Sequence, residues 1–182
     1  MKKFELTSEF VINVFGVKLF RIRALAKFGN VKAGEPGGYV EKEENLDQDG
    51  DAWVYGDAWV YGNAWVYGDA WVYGDARVYG DAEVCGNAEV YGDARVCGNA
   101  DYATVKGFGR YNRNTTFFRC KDGKIRVACG CFFGDLEEFR DIVKRTHGGG
   151  KLAKEYLTIA DLMEMHFEKE AEDDAARNPQ QV

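Results

Sequence analysis

The chain has 182 residues, 46% of them hydrophobic, and a formal net charge of −6. That hydrophobic content excludes a disordered chain, and the length suits one compact domain or a solenoid with two small attachments. The acidic balance argues against binding to bulk nucleic acid, and no run of eighteen apolar residues is present to span a membrane.

The opening residues, Met1 to Leu6, are basic but lead into no apolar stretch of signal-peptide length, so a cytoplasmic protein is expected. Five cysteines (Cys85, Cys97, Cys120, Cys129, Cys131) make an odd count, which fits reduced thiols better than a disulfide frame. Residues 1–49 read as a small β cap. Two apolar-rich runs, 10–15 and 17–25, flank Gly16 and suggest a hairpin, and Gly37-Gly-Tyr-Val40 then leads towards the next segment. Such a cap would seal the first coil of a solenoid.

Residues 50–105 carry an uninterrupted six-residue repeat, Gly-(Asp/Asn)-Ala-x-Val-(Tyr/Cys), starting at Gly50 and recurring until a worn copy at 98–103. Ala and Val lie two apart and share one face of a strand; x and Tyr/Cys share the other. Gly followed by Asp or Asn is turn chemistry, because Gly tolerates positive φ and the Asx side chain bonds nearby amides. Each repeat is therefore a very short strand plus a corner. Three of them close a triangle of eighteen residues, and successive triangles stack at the strand spacing of about 4.8 Å. The expected fold is mainly β: a parallel β-helix of about three coils with an interior of Ala and Val.

Residues 106–182 read as a C-terminal α+β domain. Runs 115–120 and 124–132 flank Asp122-Gly123, a signal for a hairpin with a type I′ turn. With 122–123 as the turn, Cys120 pairs with Ile125 and Phe118 with Val127. One face then holds Phe118, Cys120, Ile125, Val127, Cys129 and Cys131, and the other holds Arg119, Lys121, Lys124 and Arg126. Asp135 with Glu138 forms a capping-box signal for a first helix, which Gly148-Gly-Gly150 ends. A second helix is expected over 152–167, with both helices on the cysteine-bearing face and an acidic, frayed tail after Glu168.

The repeats resemble those of the hexapeptide-repeat, left-handed β-helix family, which includes acyltransferases and γ-class carbonic anhydrases. That resemblance implies left-handed coils and, commonly, a homotrimer. The segments Leu19 to Leu25, Gly37 to Val40, Cys120 to Val127, Cys129-Gly-Cys131 and Lys144 to His147 further resemble proteins carried by phages and prophages, in which similar flanks surround a variable number of repeats. This likeness implies a host-cytosol setting and no particular chemistry.

Outward x positions are Trp53, Trp59, Trp65 and Trp71, then Arg77, Glu83, Glu89 and Arg95. Counting eighteen forward stacks Trp53 under Trp71 and Trp59 under Arg77. So much aromatic surface needs a cover, whether from the chain itself, a sister subunit or a ligand. Trp59, Trp65, Trp71 and Arg77, with the basic face Arg119, Lys121, Lys124 and Arg126, form the candidate binding set for a small anionic ligand or a host protein. A solvated hairpin face is the plainer account of the four basic residues. The corner acids, for example Asp57, Asp75 and Asp93, align in a column that could hold a cation or simply cap their own turns. Cys129-x-Cys131 with Cys120 and His147 has zinc-ligand chemistry but weak spacing, and thiols among Phe, Ile and Val behave as core, so neither a metal nor a cofactor is expected. Carbonic anhydrase chemistry of the resembling family needs histidines at coil positions, and the repeats have none. Acyl transfer from coenzyme A would need His147 or His166 as base, yet nothing marks a nucleophile or an orienting partner. A non-enzymatic oligomeric binding protein is thus the leading expectation, with counter-defence by sequestering a nucleotide signal or blocking a host protein as its sharpest form. A coenzyme A-dependent acyltransferase and a structural scaffold are the alternatives.

Overall fold

The computed structural model describes residues 2–168, so the acidic tail lies outside the described residues. An N-terminal hairpin joins β1 (Phe4–Ile12) to β2 (Lys18–Ala24), and β3 (Pro36–Val40) follows. Eight two-residue strands come next, one per repeat: β4 (Trp53–Val54), β5 (Trp59–Val60), β6 (Trp65–Val66), β7 (Trp71–Val72), β8 (Arg77–Val78), β9 (Glu83–Val84), β10 (Glu89–Val90) and β11 (Arg95–Val96). They pair in parallel with the strand three repeats on, Trp53 beside Trp71 and Trp59 beside Arg77. The result is the triangular β-helix of about three turns that the repeat implies.

Three sheets form its faces: β3-β5-β8-β11, β4-β7-β10 and β6-β9. The repeat Ala and Val side chains fill the interior, and from Ala52 to Val96 each is at most 1% exposed. The interior is narrow, and these two positions do not vary from Ala52 to Val96.

The stack begins ahead of the first hexapeptide. Tyr39 lies beside Trp59 and Leu46 bridges to Val66, so Val40 and Leu46 occupy the inward places of an extra, irregular turn. A 3₁₀ turn at Glu43–Asn45 replaces the Gly-Asp corner there, and Tyr39 and Trp59 are twenty residues apart instead of eighteen. The N-terminal segment thus supplies a coil as well as the hairpin. β1 and β2 extend the first face antiparallel, giving one sheet of order β1-β2-β3-β5-β8-β11.

After the solenoid, β12 (Tyr102–Phe108), β13 (Arg113–Arg119), β14 (Ile125–Cys129) and β15 (Phe132–Asp135) form an antiparallel sheet in sequence order. Helices α1 (Leu136–His147) and α2 (Lys151–Phe167) follow, and Asp135 and Glu138 make the expected capping box at the start of α1. No helix among the described residues is long and apolar enough to cross a membrane.

The β13–β14 register corrects the expectation. Phe117 pairs with Val127, Phe118 with Arg126 and Arg119 with Ile125. The turn is not type I′. The only non-glycine residue with positive φ among those described is Asn112, so Asp122 lacks the positive φ a type I′ turn needs while Gly123 sits at φ 78°. Gly123 N–H donates to the Cys120 carbonyl and Cys120 N–H to the Lys124 carbonyl, a three-residue loop with a glycine bulge. One extra loop residue slips the register by one, and a one-residue slip moves every side chain to the other face. Consequently Phe118, Cys120 and Ala128 pack against the end of the solenoid, while Phe117, Val127, Ile125 and Cys129 pack against α1 and α2. The sheet is a wall buried on both sides. The helices cover only the Cys129 side, and Cys131, in the tight turn after Cys129, is exposed.

Candidate functional site

The outward columns now have definite neighbours. Trp53, 1% exposed, is covered by Phe4 and Phe28 of the N-terminal segment, both edge-on to its ring. Trp71 meets Tyr55 edge-on, and Tyr55, Tyr73 and Tyr91 stack as a ladder with centroids 4.8 and 4.5 Å apart. Phe133 of β15 continues that ladder at 4.6 Å from Tyr91. Trp65 stacks on its own neighbour Tyr67 at 4.1 Å and is 40% exposed, the most open of the four tryptophans. The chain therefore covers much of its own aromatic surface.

Trp59, Trp65 and Trp71 lie on three different faces, so they make no single platform. The basic quartet is also divided. Arg119 is turned to the helix side, where its guanidinium binds Asp101 at 3.2 Å and the Phe167 carbonyl at 3.0 Å. Arg126 binds Asp122 at 2.8 Å on the solenoid side. Lys124 is exposed at the hairpin tip. These placements follow from the register slip: the face that would have gathered them does not exist.

One groove does gather residues from both candidate groups. It runs along the face β3-β5-β8-β11, with a volume of about 460 Å³, and is lined by Val11, Tyr39, Asp57, Trp59, Asp75, Arg77, Asp93, Arg95 and Lys121. The outward side chains Arg21, Tyr39, Trp59, Arg77 and Arg95 stand side by side across neighbouring strands. Arg21 lies over the Tyr39 ring at 4.3 Å and Arg77 over the Trp59 ring at 4.2 Å, giving two cation–aromatic pairs side by side.

These cations are not equivalent. Arg21 is committed to Glu9, to the Gly37 carbonyl and to the Tyr39 hydroxyl. Burial pushes the Tyr39 phenol up, against the opposing effect of Arg21, so it remains a hydroxyl at neutral pH. Arg95 binds the carbonyls of Asp75, Asp93 and Ala94. Arg77 and Lys121 line the groove and make no side-chain hydrogen bond or ion pair among the described residues, so their N–H donors are unclaimed. The column Asp57, Asp75 and Asp93 also lines the groove. The other two corner columns run Asp51, Asp69, Asn87 and Asn63, Asp81, Asn99, with Asn63 bonded to Asp81 and Asn87 to Asp69. No cluster of potential metal ligands occurs among the described residues. Such a groove can stack a planar group, accept its amino donors on the aspartates and hold an anionic group with Arg77 and Lys121. Sequence counting paired Trp59 with Arg77. It missed Tyr39, whose irregular turn hid it; Lys121, expected on a basic hairpin face, reaches the groove instead because its own N–H bonds the Asp93 carbonyl.

Both histidines lie beyond the four-stranded wall. His147 ends α1 and stacks on Tyr156 at 5.9 Å, and His166 is exposed near the end of α2. Cys129 lies on the helix side of that wall, where it lines one cavity with His147, but Cys120 lies on the solenoid side, so the set of Cys120, Cys129, Cys131 and His147 does not converge.

Against known families, the YdcK β-solenoid repeat matches residues 52–68 and 58–74, two overlapping windows offset by one hexapeptide. No curated protein matches the chain. The likeness rests on the coils and supports a β-solenoid repeat protein.

Proposed function

We propose that this is a non-enzymatic binding protein whose solenoid presents the Trp59–Arg77–Lys121 groove to a small planar anion of the nucleotide class. The observation that carries the reading is Arg77: a guanidinium already seated over an indole at 4.2 Å, with its donors unclaimed, and a second unclaimed cation, Lys121, lining the same groove. Cation–π contact holds such a fork in place for about 0.5–2 kcal/mol. Stacking a base on an aromatic surface contributes about 1–3 kcal/mol. The phage-like flanks suggest counter-defence in a host cytosol, either by sequestering a nucleotide signal or by occupying a host protein. The exposed Trp65, stacked on a half-buried Tyr67, supports assembly as a homo-oligomer, with a trimer as the form the repeat family suggests.

Native mass spectrometry of protein purified from bacterial cytosol, followed by identification of any released small molecule, tests this reading. A homo-oligomer carrying a nucleotide in fixed ratio is expected, with affinity at least tenfold weaker in Arg77→Ala and Trp59→Ala. Release of coenzyme A, with acyl transfer lost in His147→Ala or His166→Ala, would replace it by the acyltransferase reading. A bound nucleotide indifferent to Arg77 and Trp59 would move the site elsewhere.

A further inference from the structure

A second cavity, of about 380 Å³, opens on the far side of the four-stranded wall, between the β12–β13 turn and the helices. Its walls are apolar and mostly aromatic: Phe132, Phe139, Ile142, Val143 and Tyr156. Its rim carries Arg110, Arg113 and His147, and no aspartate or glutamate lines it. In a chain with 30 Asp and Glu and a net charge of −6, an acid-free cavity beneath two arginines is a local inversion of the charge balance.

Neither arginine is spoken for by a carboxylate. Arg110 and Arg113 form no ion pair among the described residues, whereas Arg21, Arg23, Arg119, Arg126 and Arg140 all do. Arg113 instead lies over the exposed Tyr111 ring at 4.9 Å, which holds it at the mouth. The cavity floor is firm. Phe139 meets Phe117 and Tyr156 edge-on, and the Tyr156 hydroxyl is directed to the Phe108 carbonyl. Burial, with Cys129 beside it, pushes the Tyr156 phenol up to about 12, so it stays a neutral hydroxyl and adds no charge to the cavity. The turn closing one end is shaped for this contact: Gly109 has φ 73°, and a Cβ there would collide with the Tyr156 hydroxyl. A site with apolar walls, a few convergent donors and a volume of several hundred Å³ has the makeup of a small-molecule pocket.

We infer that this cavity binds a small amphipathic anion, an aromatic or branched apolar body bearing one carboxylate, sulfonate or phosphate, with the body against Phe132, Phe139 and Val143 and the charge held by Arg110 and Arg113. The arginine fork suits such oxyanions because its donors match their geometry in pairs. This site is independent of the solenoid groove, from which the four-stranded wall separates it.

The test uses 8-anilinonaphthalene-1-sulfonate as the anionic probe and N-phenyl-1-naphthylamine as its uncharged counterpart, titrated into the full chain by fluorescence. One saturable sulfonate site per chain is expected, at least tenfold weaker in the Arg110→Gln/Arg113→Gln variant, while the neutral probe binds both proteins alike. Filling the cavity with Val143→Trp should remove both probes. Ile142→Trp, from a half-buried position, serves the same purpose should near-ultraviolet circular dichroism show that Val143→Trp does not fold. Trp59→Ala should leave the sulfonate affinity unchanged. Equal sulfonate affinity in wild type and the double-glutamine variant, retention of both probes in a folded tryptophan variant, or loss of the sulfonate in Trp59→Ala would overturn the assignment.

Discussion

The two ends of the coil stack ask for opposite chemistry, and single side chains supply it. Along the stack, the amide of one coil donates to a carbonyl of the next, as Trp53 N–H does to Ala70 and Trp59 N–H to Ala76. The first coil is left with carbonyls to satisfy and the last with amides. At the first end the buried Lys3 ammonium donates to the carbonyls of Asp49, Gly50 and Ala52, and the Asn45 amide donates to those of Gly62 and Ala64. Burial lowers the pKa of Lys3, with Asp47, Asp51 and Asp49 opposing that fall. At the last end acceptors take over: Asn99 for the Glu83 amide, Tyr102 for Cys85, Thr116 for Glu89 and Asp101 for Cys97. Asp101 is the most loaded of them, because it also receives the Cys97 thiol at 2.9 Å and Arg119 at 3.2 Å. Burial works against its ionisation, but these hydrogen bonds outweigh burial and hold its pKa below the ordinary aspartate value. A carboxylate with a lowered folded pKa stabilises fully above its unfolded pKa and loses that contribution as pH falls through the folded value. Asp101→Asn should therefore cost about 1–2 kcal/mol at neutral pH, given what charged hydrogen bonds contribute. In urea unfolding followed across pH, the gap between wild type and variant should close below about pH 4. A gap that persists unchanged in acid would show that shape, not charge, makes this cap.

At the scale of the element, the corner and the strand place different demands on the chain. Every repeat corner from Gly50 to Gly92 has positive φ, but the space around each glycine differs. Gly80 has φ 64° and a Cβ there would press on the Cys97 carbonyl, whereas Gly86 has φ 66° with nothing nearby. Gly86→Ala thus isolates the left-handed penalty of an L residue, about 1–2 kcal/mol. Gly80→Ala adds a backbone clash and should lose more than twice as much in urea unfolding; equal losses would mean that the coils part easily. The same contrast explains what the sequence discloses about these elements. Ala58, Val60 and Gly62 each have one residue type that fits, so the repeat spells out its own interior. The turn at Asp122-Gly123 does not, because Asp-Gly serves a two-residue type I′ turn and a three-residue bulged loop equally well, and only packing on both sides of β13 selects between them. That choice divides Arg119 from Arg126 and dissolves the basic face. Tyr39 was hidden for a related reason: Val40 and Leu46 fill inward places of a coil whose corner is a 3₁₀ turn, and no six-residue count reaches them. Trp59 beneath Arg77 was legible because both sit inside the regular repeat.

For the whole molecule, three faces and two specific ends make coil number adjustable in steps of one full turn and in no smaller step. The N-terminal hairpin continues the face of β3 and β5, and the C-terminal sheet meets the last coil by face: Thr116 reaches Glu89, Asn99 reaches Glu83, and Ala94 bridges to Cys120. Removing residues 62–79 deletes eighteen residues and joins Tyr61 to Gly80. Face order is kept, Trp59 then stacks beneath Arg95, and each end still meets its own caps. Removing only 74–79 turns the C-terminal sheet by one face relative to the N-terminal hairpin, so Tyr73 leads into Gly80 and the columns mismatch: Glu83 falls on Trp59 and Arg95 on Trp71. In a linear array, stability is close to a sum of unit and neighbour terms, so losing one whole turn costs one interface and leaves cooperativity intact. Circular dichroism melts should show a single transition at reduced temperature for the eighteen-residue deletion, and a broadened transition or none for the six-residue deletion. Equal melts would mean that the coils, and not the match of ends to faces, hold the molecule together. The eighteen-residue deletion also shortens the groove, removing Arg77 and leaving Arg95 in its column. Arg95 is committed to carbonyls where Arg77 is open, so this variant should fold and yet lose the ligand that Arg77 would hold, separating the stability of the solenoid from its recognition.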